Sequence, residues 1–188
     1  MTRSAVRRRI VLAGLFALPG AARALDVCVA TPRDALGPFY VPNAPAQADL
    51  CAGAKGARLT VEGTVYGLPD CGALRGATVE VWQADAGGHY TMVDRARRDD
   101  PDCLLRATLA ADEQGRYRYT TLMPGEYPGR PPHIHYRVSH PRFAPLVTQL
   151  YFRSERGVDR ALVAAAKPVA GGYAARFDIV LGRPAAAR

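Results

Sequence analysis

Six short runs of residues with alternating or nearly alternating polarity constrain the fold of this chain more than any other feature: RLTVEGTVYG, ATVEVWQAD, GRYRYTTL, HIHYRVSH, LVTQLYF and ARFDIVLG. A period of two sends successive side chains to opposite faces, so each run, bounded by turn residues, reads as a strand with one face available to a core. VDRALVAAA, residues 158–166, is the one stretch that reads as a helix, and a short one. Many short strands with turns at these intervals predict an all-β fold, an antiparallel β-sandwich with long loops and one short helix. On such a scaffold functional side chains belong at strand ends and in connecting loops.

The 188 residues divide unevenly. Residues 1–24 start basic, continue with an apolar run from Ile10 to Leu18 and end in Ala22-Arg23-Ala24, the pattern of a cleavable signal peptide. The apolar run is far shorter than the roughly 20 residues that span a bilayer, so no stable membrane anchor is expected. Arg8-Arg9 before Ile10, Val11 and Leu12 fits a twin-arginine export signal, with an ordinary secretory signal as the alternative. A periplasmic or secreted protein is therefore expected. Residues 25–57 read as an extended arm and 58–188 as the core.

Loss of the leader would remove five of the 25 basic residues and none of the 17 acidic ones, leaving a net charge of +3 rather than +8. That balance gives little support to nucleic-acid binding and suits a small anionic substrate. The four cysteines, Cys28, Cys51, Cys71 and Cys103, would meet an oxidising compartment, and two disulfides are expected. Proximity along the chain favours Cys28–Cys51 and Cys71–Cys103 among the three possible pairings. A zinc site is disfavoured because no C-x-x-C pair is present.

The stretch PGEYPGRPPHIHYRV carries the chemistry. On a strand, His133 and His135 point to one face while Ile134 points to the other, so two imidazoles share one small volume. A metal site and a solvated strand edge both fit a bare His-x-His. Tyr127 lies across a Pro-Gly turn from the histidines, and the Gly-Gly turn of VEVWQADAGGHY presents Tyr90. Two phenols and two imidazoles form a hard-leaning donor set suited to a highly charged ferric ion, and direct bonding to a cation removes a phenol proton that otherwise leaves near pH ~10.

Across these motifs, from GPFYVPNAP through VEVWQADAGGHY and DEQGRYRYTTLMPGEYPGRPPHIHYRV to LVTQLYF, the chain resembles the intradiol ring-cleavage dioxygenases. The resemblance implies a β-sandwich core and an Fe(3+) cofactor held by Tyr90, Tyr127, His133 and His135. Tyr127 is implied to be the ligand that yields to substrate and takes a proton from it. Arg130 is implied to lie against the substrate, where a fixed guanidinium stabilises developing negative charge. Gln149 matches a position near the iron-bound oxygen, although an inward strand glutamine also serves to satisfy backbone groups. Pro38 and Tyr40 are expected to wall the substrate pocket. Only Pro128 and Gly129 separate Tyr127 from Arg130, a shorter loop than in larger members.

The resemblance implies an aromatic diol and dioxygen as substrates and a cis,cis-muconate-type product. GPFYVPNAP is similar to catechol 1,2-dioxygenases, whereas WQADAGGHY and LVTQLYF are similar to protocatechuate 3,4-dioxygenases, so the diol is not identified. Nor is an oligomeric state readable. A cupin-type metal site would need a further histidine, and none follows His140. The alternative reading is a transthyretin-like β-sandwich that binds ligands or partners without catalysis.

Overall fold

The computed structural model describes residues 28–51, 53–90, 104–127 and 129–184. The expected signal segment and Cys103 lie outside them. The described strands are β1 (Arg58–Gly67), β2 (Gly72–Ala73), β3 (Thr78–Gln83), β4 (Arg106–Ala110), β5 (Arg116–Leu122), β6 (His133–His140), β7 (Phe143–Tyr151), β8 (Lys167–Val169), β9 (Gly172–Arg176) and β10 (Ile179–Leu181).

They form two sheets. In the first, β1 is central: it pairs antiparallel with β5 and parallel with β9 and β10, with β2 and β8 at the margins. The second runs β4-β3-β6-β7 with every neighbour antiparallel. Leu59 and Val61 of β1, Tyr117 and Tyr119 of β5, Val79 and Val81 of β3, and Ile134, Tyr136 and Val138 of β6 make one buried cluster between them. At its centre the Tyr119 and Tyr136 hydroxyls meet at 2.6 Å, pairing polar atoms that burial would otherwise strand. The expected β-sandwich is therefore the fold of this chain, although β1 pairs parallel, and not antiparallel, with β9 and β10.

Two further expectations are corrected. Residues 158–166 do not form an α-helix: only Arg160–Leu162 make a single 3-10 turn, capped by the Asp159 side chain, which accepts a hydrogen bond from Ala161 N. Ala164 N then donates to Tyr151 O, and this bond to the sheet draws the backbone out of helical geometry. The disulfide also differs, for Cys28 is bonded to Cys71, with Cα atoms 6.1 Å apart, and not to Cys51. The cause is the path of the arm. Thr31 N donates to Val180 O on β10, and Val180 pairs with Tyr66 near the end of β1, which brings Cys28 to the β1–β2 connection. Cys51 is disulfide-bonded as well.

The arm, residues 28–51 of the described chain, contains no strand but is held throughout. Asp34 N donates to Val147 O, Thr148 Oγ1 donates to Pro32 O, and Leu50 N donates to Thr120 O. It crosses the face of the second sheet that points away from the core, and the candidate site lies beneath it.

Candidate metal centre

Strand register assembles the floor of the site. Trp82 of β3, His135 of β6 and Gln149 of β7 are directly opposed across three strands, and His133 opposes Tyr151 one step along. Opposed residues of antiparallel strands share a face, so these five side chains share the outer face of the sheet, while Ile134 and Tyr136 enter the core. A sheet face turned from the core is usually wet, yet His133 is 2% exposed and His135 1%. The arm covers them: Gly37 packs so closely on the His135 ring that a Cβ there would lie 3.0 Å from Cε1, and its φ of +72° favours glycine. Phe39 stacks on Tyr90 with ring centroids 4.1 Å apart.

The two tyrosine-bearing loops are tied to each other. Asp85 Oδ1 accepts hydrogen bonds from Gly87 N and His89 N, closing the turn that presents Tyr90, and Asp85 O accepts from Gly125 N two residues before Tyr127. The short link between Tyr127 and Arg130 is one tight turn, with Arg130 N donating to Tyr127 O at 2.9 Å and Gly129 at φ +80°, the conformation that a type II turn demands of its third residue. A two-residue spacer thus holds phenol and guanidinium as neighbours.

Three of the four expected donors converge. His133 Nε2 and His135 Nε2 are 3.1 Å apart, and the Tyr90 hydroxyl lies 3.1 Å from His135 Nε2 and 3.5 Å from His133 Nε2. The Tyr127 ring centroid stands 5.6 Å from that of His133 and 5.9 Å from that of Tyr90. His133 Nδ1 is 2.7 Å from Pro131 O, which can only accept, so Nδ1 carries the proton and Nε2 offers a lone pair. His135 is held differently: its ring stacks on Trp82 at 4.9 Å and 6°, and its buried Nδ1, facing the Ala35 backbone, makes no hydrogen bond of normal geometry.

The electrostatics favour neutral imidazoles. Burial pushes both histidines down, and His135, also close to His133 and Arg130, is pushed to about 3. Burial, with Tyr127 nearby, pushes the Tyr90 hydroxyl above the usual phenol range, a cost that a bound cation would reverse. Without a cation the Tyr90 hydroxyl proton can sit between these atoms, and a metal ion that displaced it would meet oxygen and nitrogen lone pairs converging on one point. For bonds of about 2.1 Å at right angles, neighbouring donors stand about 3.0 Å apart, close to the spacings observed. Among the described residues no group of three or more His, Cys, Asp or Glu could hold a metal; this set differs by drawing on phenols.

Beside the donors opens a cleft of about 430 Å³ lined by Glu126, Tyr127, Gly129, Arg130, Arg153 and Glu155, within the size range of small-molecule sites. A larger depression of about 530 Å³ lies on the other sheet, over β1 and β5, where Arg116, Arg118 and Arg176 are paired with Asp112, Glu62 and Asp178. It has no convergent donors. Arg130 Nη2 donates to Gln149 Oε1 and, at 2.8 Å, to the Tyr151 hydroxyl, while Gln149 Nε2 donates to Ala35 O on the arm at 2.7 Å. Gln149 thus serves both the arm backbone and the guanidinium.

Tyr40 lies apart from this group. Its ring meets the edge of Trp82 at 4.9 Å and its hydroxyl donates to Glu80 Oε1 at 2.9 Å, so the arm residue against Tyr90 is Phe39, preceded by the exposed Pro38. Sequence reasoning passed over Tyr151, Asp34, Gly37 and Phe39. Tyr151 had a signal, standing two residues after Gln149 on the same strand face; Asp34 had none.

Two buried imidazoles met by half-buried phenols on the outer face of a β-sandwich, with an arginine at their cleft, define a class. Residues 35–181 match the family model Dioxygenase_C, described as Dioxygenase. The chain belongs to the intradiol ring-cleavage dioxygenase family, whose members use iron(III). It is 32% identical over 146 residues to catechol 1,2-dioxygenase of Candida albicans, covering 62% of this chain and 45% of that protein. It is 40% identical over 110 residues to the protocatechuate 3,4-dioxygenase beta chain of Burkholderia cepacia, covering 52% and 45%. The chain therefore spans about half the length of these curated relatives. The dioxygenase domain of a dioxygenase carbohydrate-binding protein fusion from Streptomyces sp. SirexAA-E superposes with a TM-score of 0.73 at 32% identity, covering 83% of this chain and all of that one.

Proposed function

We propose that this protein binds one ferric ion through Tyr90, Tyr127, His133 and His135 and cleaves an aromatic 1,2-diol between its two oxygen-bearing carbons. The observation that carries the reading is the convergence of Tyr90 OH, His133 Nε2 and His135 Nε2 within 3.1 to 3.5 Å beside a cleft lined by Tyr127 and Arg130. In the overall reaction the ring carbon–carbon bond breaks, both atoms of dioxygen enter the product, and the two carbons are oxidised by the four electrons that dioxygen accepts. The diol and dioxygen together account for every atom of the muconate-type diacid, so no further oxidant or reductant is needed.

A ferric ion held by Tyr90, Tyr127, His133 and His135 would supply Lewis acidity toward the two diol oxygens. Tyr127, on the tight turn at the cleft, would take a diol proton as a phenolate. Arg130, through its guanidinium, would stabilise negative charge that develops on the ring. Gly37 and Phe39 close the donors from water on the arm side, which strengthens each of these interactions.

Purified protein should be red to purple with about one iron per chain, because phenolate bound to ferric iron absorbs in the visible and phenolate on zinc does not. Oxygen uptake with catechol, protocatechuate and hydroxyquinol side by side would identify the diol. Colourless, iron-loaded protein would remove the phenols from the metal and the mechanism with them; a binding module without catalysis would show neither colour nor uptake.

Export completes the proposal. The basic, apolar and Ala-Arg-Ala order of residues 1–24 and the Cys28–Cys71 disulfide both support maturation outside the cytoplasm. The N-terminus of the exported protein should be Leu25, and a cytoplasmic product retaining Met1 would count against it. No helix among the described residues is long and apolar enough to cross a membrane.

A further inference from the structure

The guanidinium of Arg130 is held by two neutral groups, the Gln149 amide oxygen and the Tyr151 hydroxyl. Tyr151 is 3% exposed, and its hydroxyl has three polar neighbours: Arg130 Nη2, Gln149 Oε1 and Asp34 Oδ2, each at 2.8 Å. A phenol has one proton to give. Arg130 can only donate, so the proton goes to Gln149 or to Asp34, and a carboxylate is the stronger acceptor. Tyr151 therefore accepts from Arg130 and donates to Asp34.

Asp34 itself is fixed from the arm. Its backbone N–H donates to Val147 O at 3.0 Å, and its Oδ1 accepts from Ala35 N at 2.6 Å. Arg33 Nη1 donates to Pro145 O, Thr148 Oγ1 donates to Pro32 O, and Gln149 Nε2 donates to Ala35 O, so the residues on either side of Asp34 are pinned to β7. A carboxylate touching Arg130 directly would cancel the charge that a substrate must feel. One phenol interposed orients the guanidinium and leaves its charge available.

We propose that Asp34 is a positioning residue for Arg130, acting through the Tyr151 hydroxyl, so that the N-terminal arm completes the active site. The catalytic consequence rests on the ring-cleavage reading above, while the positioning itself does not. Partners one shell removed from a reactive group typically change activity by 10- to 100-fold.

The test uses the full mature chain with Asp34→Ala, Asp34→Asn, Tyr151→Phe and the Asp34→Ala/Tyr151→Phe double variant. In the iron-loaded enzyme, Asp34→Ala and Tyr151→Phe should each lower kcat for the best diol about 10- to 100-fold with KM within about threefold, the pattern of an interaction realised in the transition state. The visible band should keep its position, which a disturbed metal site would not allow. Asp34→Asn leaves one acceptor oxygen for two donors, Ala35 N–H and the Tyr151 hydroxyl, and should recover only part of the rate. The double variant should be no slower than the worse single one, since both break one chain of contacts.

A second readout is independent of turnover: the Arg130 side-chain Nε–H signal in nitrogen-15 NMR of the metal-free protein should be sharp in wild type and broadened in Asp34→Ala. An unchanged Arg130 signal together with wild-type kcat in Asp34→Ala would overturn the proposal, as would additive losses in the double variant. If wild type cleaves no diol, the ring-cleavage reading fails and the NMR comparison alone decides the positioning.

Discussion

Strand β6 serves two regions that differ in almost every property. On the core side Ile134, Tyr136 and Val138 are fully buried among residues of both sheets. On the outer side His133 and His135 are nearly as buried, but under an arm and two turns rather than under a sheet. The inner face is dry because the opposite sheet covers it, and it would remain so in any sandwich. The outer face is dry only while the arm is held by its bonds to β7 and β10 and by the Cys28–Cys71 disulfide. Alternation along one strand thus separates what keeps the protein folded from what lets it react, and the two should respond differently to the same kind of damage.

The largest expected difference comes from His135→Ala. It removes a donor from a nest of very few and takes away the stacking partner of Trp82, so iron and visible colour should be lost and oxygen uptake abolished. Far-UV circular dichroism should still show the β-sandwich. The matching change on the inner face, Ile134→Ala, should cost about 2–5 kcal/mol of stability while folded protein keeps its iron stoichiometry and band position. Metal lost in proportion to stability in both variants would mean that the two faces are not separable.

Acid should divide the faces next. In the metal-free protein burial holds His133 below its ordinary value, and His135 at about 3, against about 6.5 in the unfolded chain. Between those values the unfolded chain binds more protons, so stability is full above pH ~6.5 and falls as pH is lowered toward 3, by up to about 1.4 kcal/mol per pH unit for each histidine. Urea titrations of wild type and His135→Ala from pH 7.5 to 4.5 should show a shallower acid loss in the variant. Parallel curves would place the acid sensitivity elsewhere.

The inner face and the histidine pair were legible because both follow from local periodicity. β1 and β6 coincide with the alternating runs RLTVEGTVYG and HIHYRVSH, where turn residues mark each end. The six runs do not cover β2, β4 or β8, which are two, five and three residues long, too short for a period to declare itself, and ARFDIVLG is not one strand but the end of β9 followed by β10. The run at 158–166 has the composition of a helix but yields to a tertiary bond at Ala164. Tyr90 and Tyr127 drew notice through their glycine turns and the family resemblance. What the sequence could not convey were relations set by register and by the arm: Tyr151 opposite His133, Asp34 on Tyr151, and Cys28 on Cys71. Each joins segments far apart in the chain, and nothing local to either partner announces the other.

The smallest effect sharpens the border of the outer region. Tyr40 belongs to the arm and was expected at the substrate, yet its hydroxyl donates to Glu80, whose other oxygen takes the Arg137 guanidinium, and its ring meets Trp82 edge-on. Tyr40→Phe keeps the ring and removes only the hydrogen bond. Glu80 retains Arg137 as a partner, so no buried charge is left alone and the cost should be about 1 kcal/mol, the ordinary net value of one such bond. Its effect on the reaction should be smaller still, with KM for the diol within about twofold, a change of less than ~0.5 kcal/mol. A tenfold rise in KM with unchanged stability would move the Tyr40 hydroxyl from Glu80 to the substrate itself, and the cleft would then extend along the arm beyond Phe39.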